Sequence, residues 1–448
     1  MTELQELMRQ NVAAPPPDDL DVAGLVADGR ARVRGRRRQR VAVGAAACAV
    51  VGLVAVSAIV MPRGGDHAGP AGRPPAPDAP TLSLADARPA VAGRDYTELA
   101  SYTNENLDRD NGQYFDGVTE DGLILFRDGP RSDQLWPRFA LMDPATGEKD
   151  WLPKLSIGQA QSWPLELGRD RLVLVGTQDD RGDGGTLVAY VFDRGSREWS
   201  TMTWPDLKVD YPRAVLGPDD RLYIGVPATQ GRVPEGGWPT DSSGEADDAD
   251  AEGDTYHLWS VSLTDSTDVR DEGLTVGGVA FTEDSMVYTD STNGAAGLVH
   301  VRDLTSGSEH TFDPHAGDRC NLLSFGAHGD RIVMGEYCGT YDGGVRDDRV
   351  QVLSTDGDQV VTLQDNGLDG GLPAGSDVVT VTAYGSTRDD PRSGTYVYDL
   401  ATDRFLQIST GSSKFGVGGA TGNPGEFRWN TPVNKRHGAT QSIGVLRR

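Results

Sequence analysis

Gly168-Arg-Asp-Arg-Leu-Val-Leu-Val175, followed by Ala189-Tyr-Val-Phe-Asp-Arg-Gly195, is the stretch on which the fold turns. A Gly/Asp turn leads into a β-branched apolar strand, and a second strand ends in an Asp-led turn. The first half recurs as Glu120-Asp-Gly-Leu-Ile-Leu-Phe126, Gly217-Pro-Asp-Asp-Arg-Leu-Tyr-Ile224, Thr282-Glu-Asp-Ser-Met-Val-Tyr288 and His328-Gly-Asp-Arg-Ile-Val-Met334, with a looser copy at Gly375-Ser-Asp-Val-Val-Thr-Val381. The second half recurs as Phe139-Ala-Leu-Met-Asp-Pro-Ala-Thr-Gly147, Val299-His-Val-Arg-Asp-Leu-Thr-Ser-Gly307 and Tyr396-Val-Tyr-Asp-Leu-Ala-Thr-Asp403. Aligned on Leu123, Leu172, Leu222, Met286, Ile332 and Val378, the copies are spaced by about 46–50 residues, with one longer interval.

Apolar residues in these runs read as half-buried strands, and the Asp closes each turn by accepting backbone N–H groups. Gly147 and Gly307 supply the positive φ that such turns need. No copy can bury both faces alone, so copies must stack. Repeats of this length with about four short strands are the mark of a β-propeller blade, which makes residues 94–448 an all-β domain. Six strand pairs are legible between 118 and 409. The tail offers Lys414-Phe-Gly-Val417, Glu426-Phe-Arg-Trp429 and Gln441-Ser-Ile-Gly-Val-Leu446, three strands without a fourth. Tyr96-Thr-Glu-Leu-Ala-Ser-Tyr102 can complete them and close the ring. Seven blades is the expected count, with six and eight left open.

The pattern resembles the broad WD-repeat, kelch and quinoprotein-type propeller superfamily. The Gly-His and Trp-Asp marks of WD repeats are missing at the equivalent positions. Asp193-Arg-Gly195 followed by Trp199 comes near a sialidase Asp box, with the Trp one residue too far along.

Ahead of the repeats, Val41 to Met61 runs without a charge, directly behind Arg34, Arg36, Arg37, Arg38 and Arg40. At about 1.5 Å per residue, such a helix spans a bilayer core of roughly 30 Å. Basic residues stay on the cytoplasmic side, so the arginines act as a topology signal and a contact for anionic lipid. Residues 1–40 are then expected inside and everything after Met61 outside: a single-pass cell-membrane protein. A cleavable signal peptide is the competing reading, but its leading segment and apolar core are shorter than these. Residues 62–93, rich in Pro, Gly and Ala, read as a linker without fixed structure. The tail carries two short amphipathic patterns, Leu4, Leu7 and Met8, then Val22, Leu25 and Val26. This layout resembles actinobacterial single-span proteins, some of which partner extracytoplasmic-function sigma factors. The resemblance implies a cytosolic partner for residues 1–30, such as a sigma factor. No zinc-binding His/Cys set accompanies it.

Charge narrows the partners further. The chain carries −25, and residues 1–40 hold eight arginines against six carboxylates, so the exported part is strongly acidic. An acidic domain repels phosphates, and no nucleic-acid partner is expected. Cys320 and Cys338 are equidistant from Gly329, the centre of an expected hairpin, so they should face each other and form a disulfide. Cys48 lies in the apolar run, where a thiol packs as an alanine does. The insertion Pro227–Thr255, with Arg232, Trp238 and the acidic run Glu245–Asp250, reads as a solvated loop or a partner contact.

Sequence signals for chemistry are sparse. Gly-x-Ser-x-Gly, His-Glu-x-x-His, Gly-x-x-x-x-Gly-Lys and Cys-x-x-Cys motifs are all missing from the sequence. Asn106-Leu-Asp-Arg-Asp-Asn-Gly112 resembles the first half of a calcium loop, with its Gly one place late and the twelfth-position Glu lacking. No catalytic residue, metal ligand or cofactor is therefore expected, and calcium is the one ion the pattern admits. His300, His310 and His315 are close in sequence but should scatter over strands and turns. The resulting expectation is a membrane-anchored binding or sensing module for an envelope protein or glycan. The alternatives are an anti-sigma-like regulator and a propeller enzyme such as a glycosidase, lyase or lactonase.

Overall fold

The computed structural model describes residues 79–448 apart from 105–112, 130–136, 156, 158–161, 179–184, 210–212, 230–254, 291–296, 315–319, 342–344, 385–389, 412–422 and 435–436. The tail, the apolar run Val41–Met61, Arg34 to Arg40, the calcium-like loop, Arg232 and Trp238 lie outside the described residues. Among those described, no helix is long and apolar enough to cross a membrane.

Seven sheets, antiparallel but for one two-residue edge strand on each of two of them, succeed one another along the chain, which makes the fold a seven-bladed β-propeller. Blade 1 consists of Gln113–Val118, Ile124–Asp128, Arg138–Met142 and Lys149–Trp151. Blade 2 spans Ser162–Leu167 to Glu198–Val209, blade 3 Arg213–Leu216 to Val269–Val276, and blade 4 Gly278–Phe281 to Glu309–Phe312. Blade 5 runs from Asn321–His328 to Gln359–Gln364 and blade 6 from Leu368–Pro373 to Arg404–Gln407. From blade 1 to blade 6, each blade's first strand lies beside the next blade's first strand, which places these strands innermost.

Blade 7 joins the two ends of the domain. Glu426–Pro432 and Ala439–Leu446 pair with each other, and Tyr96–Thr103 adds antiparallel to Ala439–Leu446 in the register Tyr96↔Leu446 to Thr103↔Thr440. Ring closure by the segment near Tyr96 is thus as the sequence suggests. Lys414–Val417 falls outside the described residues.

The repeated runs are the second strands of blades 1–6, and they differ from the half-buried strands expected. Leu172, Val173, Leu174 and Val175 are all essentially inaccessible. Leu172 and Leu174 pack toward blade 1, with Leu125, Phe139 and Leu141, while Val173 and Val175 pack toward blade 3, with Leu222 and Ile224. A strand between two neighbours is buried on both faces, so its sequence is a continuous apolar run. Seven apolar clusters result, one for each junction between blades.

The turns after the third strands behave as read. Asp143 Oδ1 accepts Ala145 N at 2.7 Å and Thr146 N at 3.1 Å, and Asp303 Oδ1 accepts Thr305 N at 3.0 Å and Ser306 N at 2.6 Å. The Ser306 amide holds the Asp303 carboxyl below its ordinary pKa. Four residues after the Asp the chain takes a left-handed conformation, φ 72° at Gly147 and 69° at Gly307. Arg197 (φ 59°) and Asp403 (φ 52°) take that position in the turns led by Asp193 and Asp399. A Cβ on Gly307 would meet nothing within 4 Å. Gly307→Ala should therefore lower stability by about 1–2 kcal/mol through backbone conformation alone. Chemical denaturation would measure it, and a neutral result would show that the turn relaxes.

Residues 79–93 correct the linker expectation. Thr81–Leu82 pairs parallel with Thr362–Leu363 on the outer edge of blade 5, and Arg88–Pro89 pairs parallel with Leu406–Gln407 on the outer edge of blade 6. Leu84, between them, is 5% exposed and packs into the cluster shared by blades 5 and 6. Its amide donates to Asp365 Oδ2 at 3.0 Å. Arg88 then forks onto Asp95 at 2.8 and 2.6 Å and, with Arg94, holds that carboxyl well below the usual range. The segment is a strap across the rims of blades 5 and 6 that leads into the closing strand of blade 7. Proline suits it because alternate N–H groups of an edge strand face away from the sheet: Ala90 N donates to Gln407 O at 2.9 Å, and Pro89 falls on the outward side.

Candidate functional site

Two ends of the propeller are built differently. At one end sit the short connections between first and second strands and between third and fourth strands. Their backbone groups bond to each other: Arg194 N to Asp170 O at 2.8 Å, Leu304 N to Asp284 O at 2.8 Å, and Leu400 N to Asp377 O at 2.8 Å. Arginines tie neighbouring blades together there. Arg194 meets both carboxylate oxygens of Asp121 at 2.8 Å, and Arg171 bridges Glu166 of its own blade to Asp220 of blade 3. The Arg194 hydrogen bonds, against a desolvation cost, hold Asp121 down to about 2.

That depression has a sign. The folded-state value lies below the ordinary 3.8, so the contribution is complete above about pH 4 and disappears as pH falls toward 2. The stability difference between the parent chain and Asp121→Asn should be under about 1 kcal/mol at pH 7, given solvent screening, and should vanish near pH 2. Urea unfolding at stepped pH reads it. A difference growing on acidification would refute the assignment.

The opposite end takes the long connections. Second strands end and third strands begin there, on either side of 129–137, 230–254, 290–298 and 384–393 in the sequence, and residues 230–254 of the insertion lie outside the described residues. Cys320 and Cys338 lie at the same end, with sulfurs 2.00 Å apart and Cα atoms 4.2 Å apart, as the sequence predicts. The reason differs in one detail. The hairpin turns at Gly329-Asp330, in the register His328↔Arg331, which alone would offset the cysteines by one residue. A register shift between Leu322 and Ser324 restores the pairing, giving Asn321↔Tyr337.

Between blades 7 and 1 lies a charged cluster that sequence reading did not single out. Asp116, 5% exposed on the innermost strand of blade 1, meets Arg127 Nε through Oδ2 at 2.8 Å. The Arg127 guanidinium also stands over the Tyr114 ring at 4.5 Å. Arg428 of blade 7 donates to Asp116 O at 3.2 Å, and Glu426 accepts from Asn423 at 3.3 Å. Burial pushes the Asp116 and Glu426 carboxyls up and the Arg428 guanidinium down to about 10. The available signal was charge inside otherwise apolar strands, in Gln113-Tyr-Phe-Asp-Gly-Val118 and Glu426-Phe-Arg-Trp429.

The histidines scatter. His300 stacks on Tyr288 with ring centroids 4.6 Å apart, its two nitrogens 3.0 Å from Asp290 Oδ2 and 3.1 Å from Glu309 Oε1. His310 instead reaches Thr355 O in blade 5 at 2.8 Å, and His315 is outside the described residues. The one set of three potential metal ligands among the described residues is Cys320, Glu336 and Cys338.

No protein-family model matches the chain, and no curated protein matches it. Solved structures similar to it include an oligogalacturonate lyase in complex with manganese, at 12% identity and TM-score 0.48, covering 80% of this chain and 99% of the lyase. A prolyl endopeptidase matches at 14% identity and TM-score 0.40, over 74% of this chain and 45% of its own. The β-propeller domain of the Trilobed protease from Pyrococcus furiosus matches at 10% and TM-score 0.41, over 68% of this chain and 82% of that domain. Likenesses this distant carry no argument about activity.

Proposed function

We propose that the chain is a single-pass membrane protein whose propeller is held outside the cell as a binding or sensing module. Residues 1–40 lie in the cytoplasm, 41–61 span the bilayer, and Arg34, Arg36, Arg37, Arg38 and Arg40 fix orientation and touch anionic lipid. One observation carries the binding role: the strand ends that flank the long connections lie at one end of the propeller, while the other end carries short, internally bonded turns. Loops on a rigid scaffold are where recognition residues are placed. The partner is an envelope protein or glycan, with Arg232 and Trp238 in the insertion as contacts. The uncharged run behind the arginines supports the anchor, and the Cys320–Cys338 pair suits an oxidising compartment.

A second reading follows from the apolar patterns of the tail. Forty residues cannot form a core alone, so residues 1–30 dock on the membrane surface or on a cytosolic partner such as a sigma factor. Crosslinked affinity purification from native membranes, comparing the full chain with one lacking residues 2–30, separates the two. Loss of a cytosolic protein on deletion makes this a transmembrane regulator. An unchanged set of envelope partners leaves the propeller as the working part. Recovery of neither class would sink both readings.

A further inference from the structure

The Cys320–Cys338 pair has a third neighbour that the disulfide does not use. Alternation along Arg331–Tyr341 puts Glu336 and Cys338 on one face, two residues apart, and Cys320 stands across from Cys338. The ligating atoms of all three lie within 4.8 Å of one another. Glu336 is 0% exposed, in the interior of a strand. Gln351 donates to its Oε2 at 2.7 Å and is itself held by Gln359 at 3.4 Å, a chain that fixes the carboxylate's orientation. Val287, Val299, Met334 and Leu353 belong to the same cluster as Cys320, so the surroundings are apolar.

We propose that this cluster is a metal site when reduced, taking one Zn²⁺ through the sulfurs of Cys320 and Cys338 and a carboxylate oxygen of Glu336. The disulfide and the ion are then alternative states of one site. Two thiolates select a soft, redox-inert ion over magnesium or calcium, and three protein ligands leave a fourth position for water. Reduction by a dithiol breaks the S–S bond and delivers two electrons and two protons to the sulfurs, while the dithiol closes its own disulfide. Zn²⁺ then displaces the two thiol protons into solvent. Oxidation by a small-molecule disulfide reverses the sequence and releases the ion.

The test uses detergent-solubilised full-length protein carrying Cys48→Ser, so that the pair supplies all the thiols. Co²⁺ is the probe, because thiolate ligation gives a near-ultraviolet charge-transfer band that loose binding to surface carboxylates does not. Reduced protein should bind one Co²⁺ per chain with that band, and Zn²⁺ should displace it. Oxidised protein should show none. Glu336→Gln should keep its fold and disulfide when oxidised, by near-ultraviolet circular dichroism, yet bind Co²⁺ about tenfold or more weakly when reduced. The proposal fails if reduced protein gives no band, if reduction unfolds the domain, or if Glu336→Gln binds as tightly as the parent.

Discussion

A chain beginning at residue 104 should fail to give a folded monomer, whereas one beginning at residue 94 should fold with reduced stability. The difference between them is Tyr96–Thr103, the strand that covers Ala439–Leu446 and joins the two ends of the propeller. Tyr96 packs edge-on against Trp429 at 5.2 Å and Phe427 at 6.2 Å, Ala100 enters the cluster between blades 7 and 1, and Tyr102 meets Phe126 at 5.0 Å. Each aromatic withdrawn from such a site forfeits about 1.5–3 kcal/mol. The paired edge of Ala439–Leu446 would be left open as well. Together these losses approach the roughly 5–15 kcal/mol that separates a folded domain from its unfolded chain. Among the described residues, starting at 94 removes only the strap; burial of Leu84 accounts for about 1.5–3 kcal/mol of the loss, and the exposed Arg88 side of the Arg88–Asp95 pair adds little. Size-exclusion chromatography and thermal unfolding of both truncations decide it. A monomeric, cooperatively unfolding protein from residue 104 would show that closure does not depend on this strand.

That contrast also marks where the sequence was readable. Second strands were legible because burial on both faces forces runs such as Leu172 to Val175, and the Asp-led turns because an Asp oxygen and a positive φ four residues later are local requirements. Closure was legible by counting strands at the tail. The strap was not, since two-residue parallel pairings need little beyond backbone and one leucine, and they leave no periodicity. Proline-rich sequence there looks the same whether it is free or laid along a rim. The cluster at Asp116 was hidden for another reason. Arg428 reaches Asp116 across a separation of 312 residues, and nothing local to either segment names the other. The disulfide pairing came out right although its one-residue register shift was invisible, because that shift offsets the parity of a two-residue turn.

Gln441→Leu should be the most damaging conservative change of size within the closed ring. Gln441 is 0% exposed, and its amide works as a piece of strand edge between blades 7 and 1. Its Oε1 accepts Phe115 N at 3.0 Å, while Nε2 donates to Gln113 O at 2.5 Å and to Asn104 Oδ1 at 3.2 Å. Leucine fills the volume but strands a buried N–H and a buried C=O, each at about 1–3 kcal/mol. The expected loss is about 3–5 kcal/mol, read as a lower denaturation midpoint with unchanged m. Gln441→Glu separates hydrogen bonding from shape. Its carboxylate still accepts from Phe115 N but points an anion at Gln113 O and Asn104 Oδ1, so burial and those acceptors must raise its pKa above the unfolded value. The ionised form is the destabilising one, so this variant should be weakest at neutral pH and recover as pH falls and the acid regains a proton to donate. Equal stability of the glutamate variant at pH 5 and pH 8 would mean that water has entered the junction and that Gln441 does not close it.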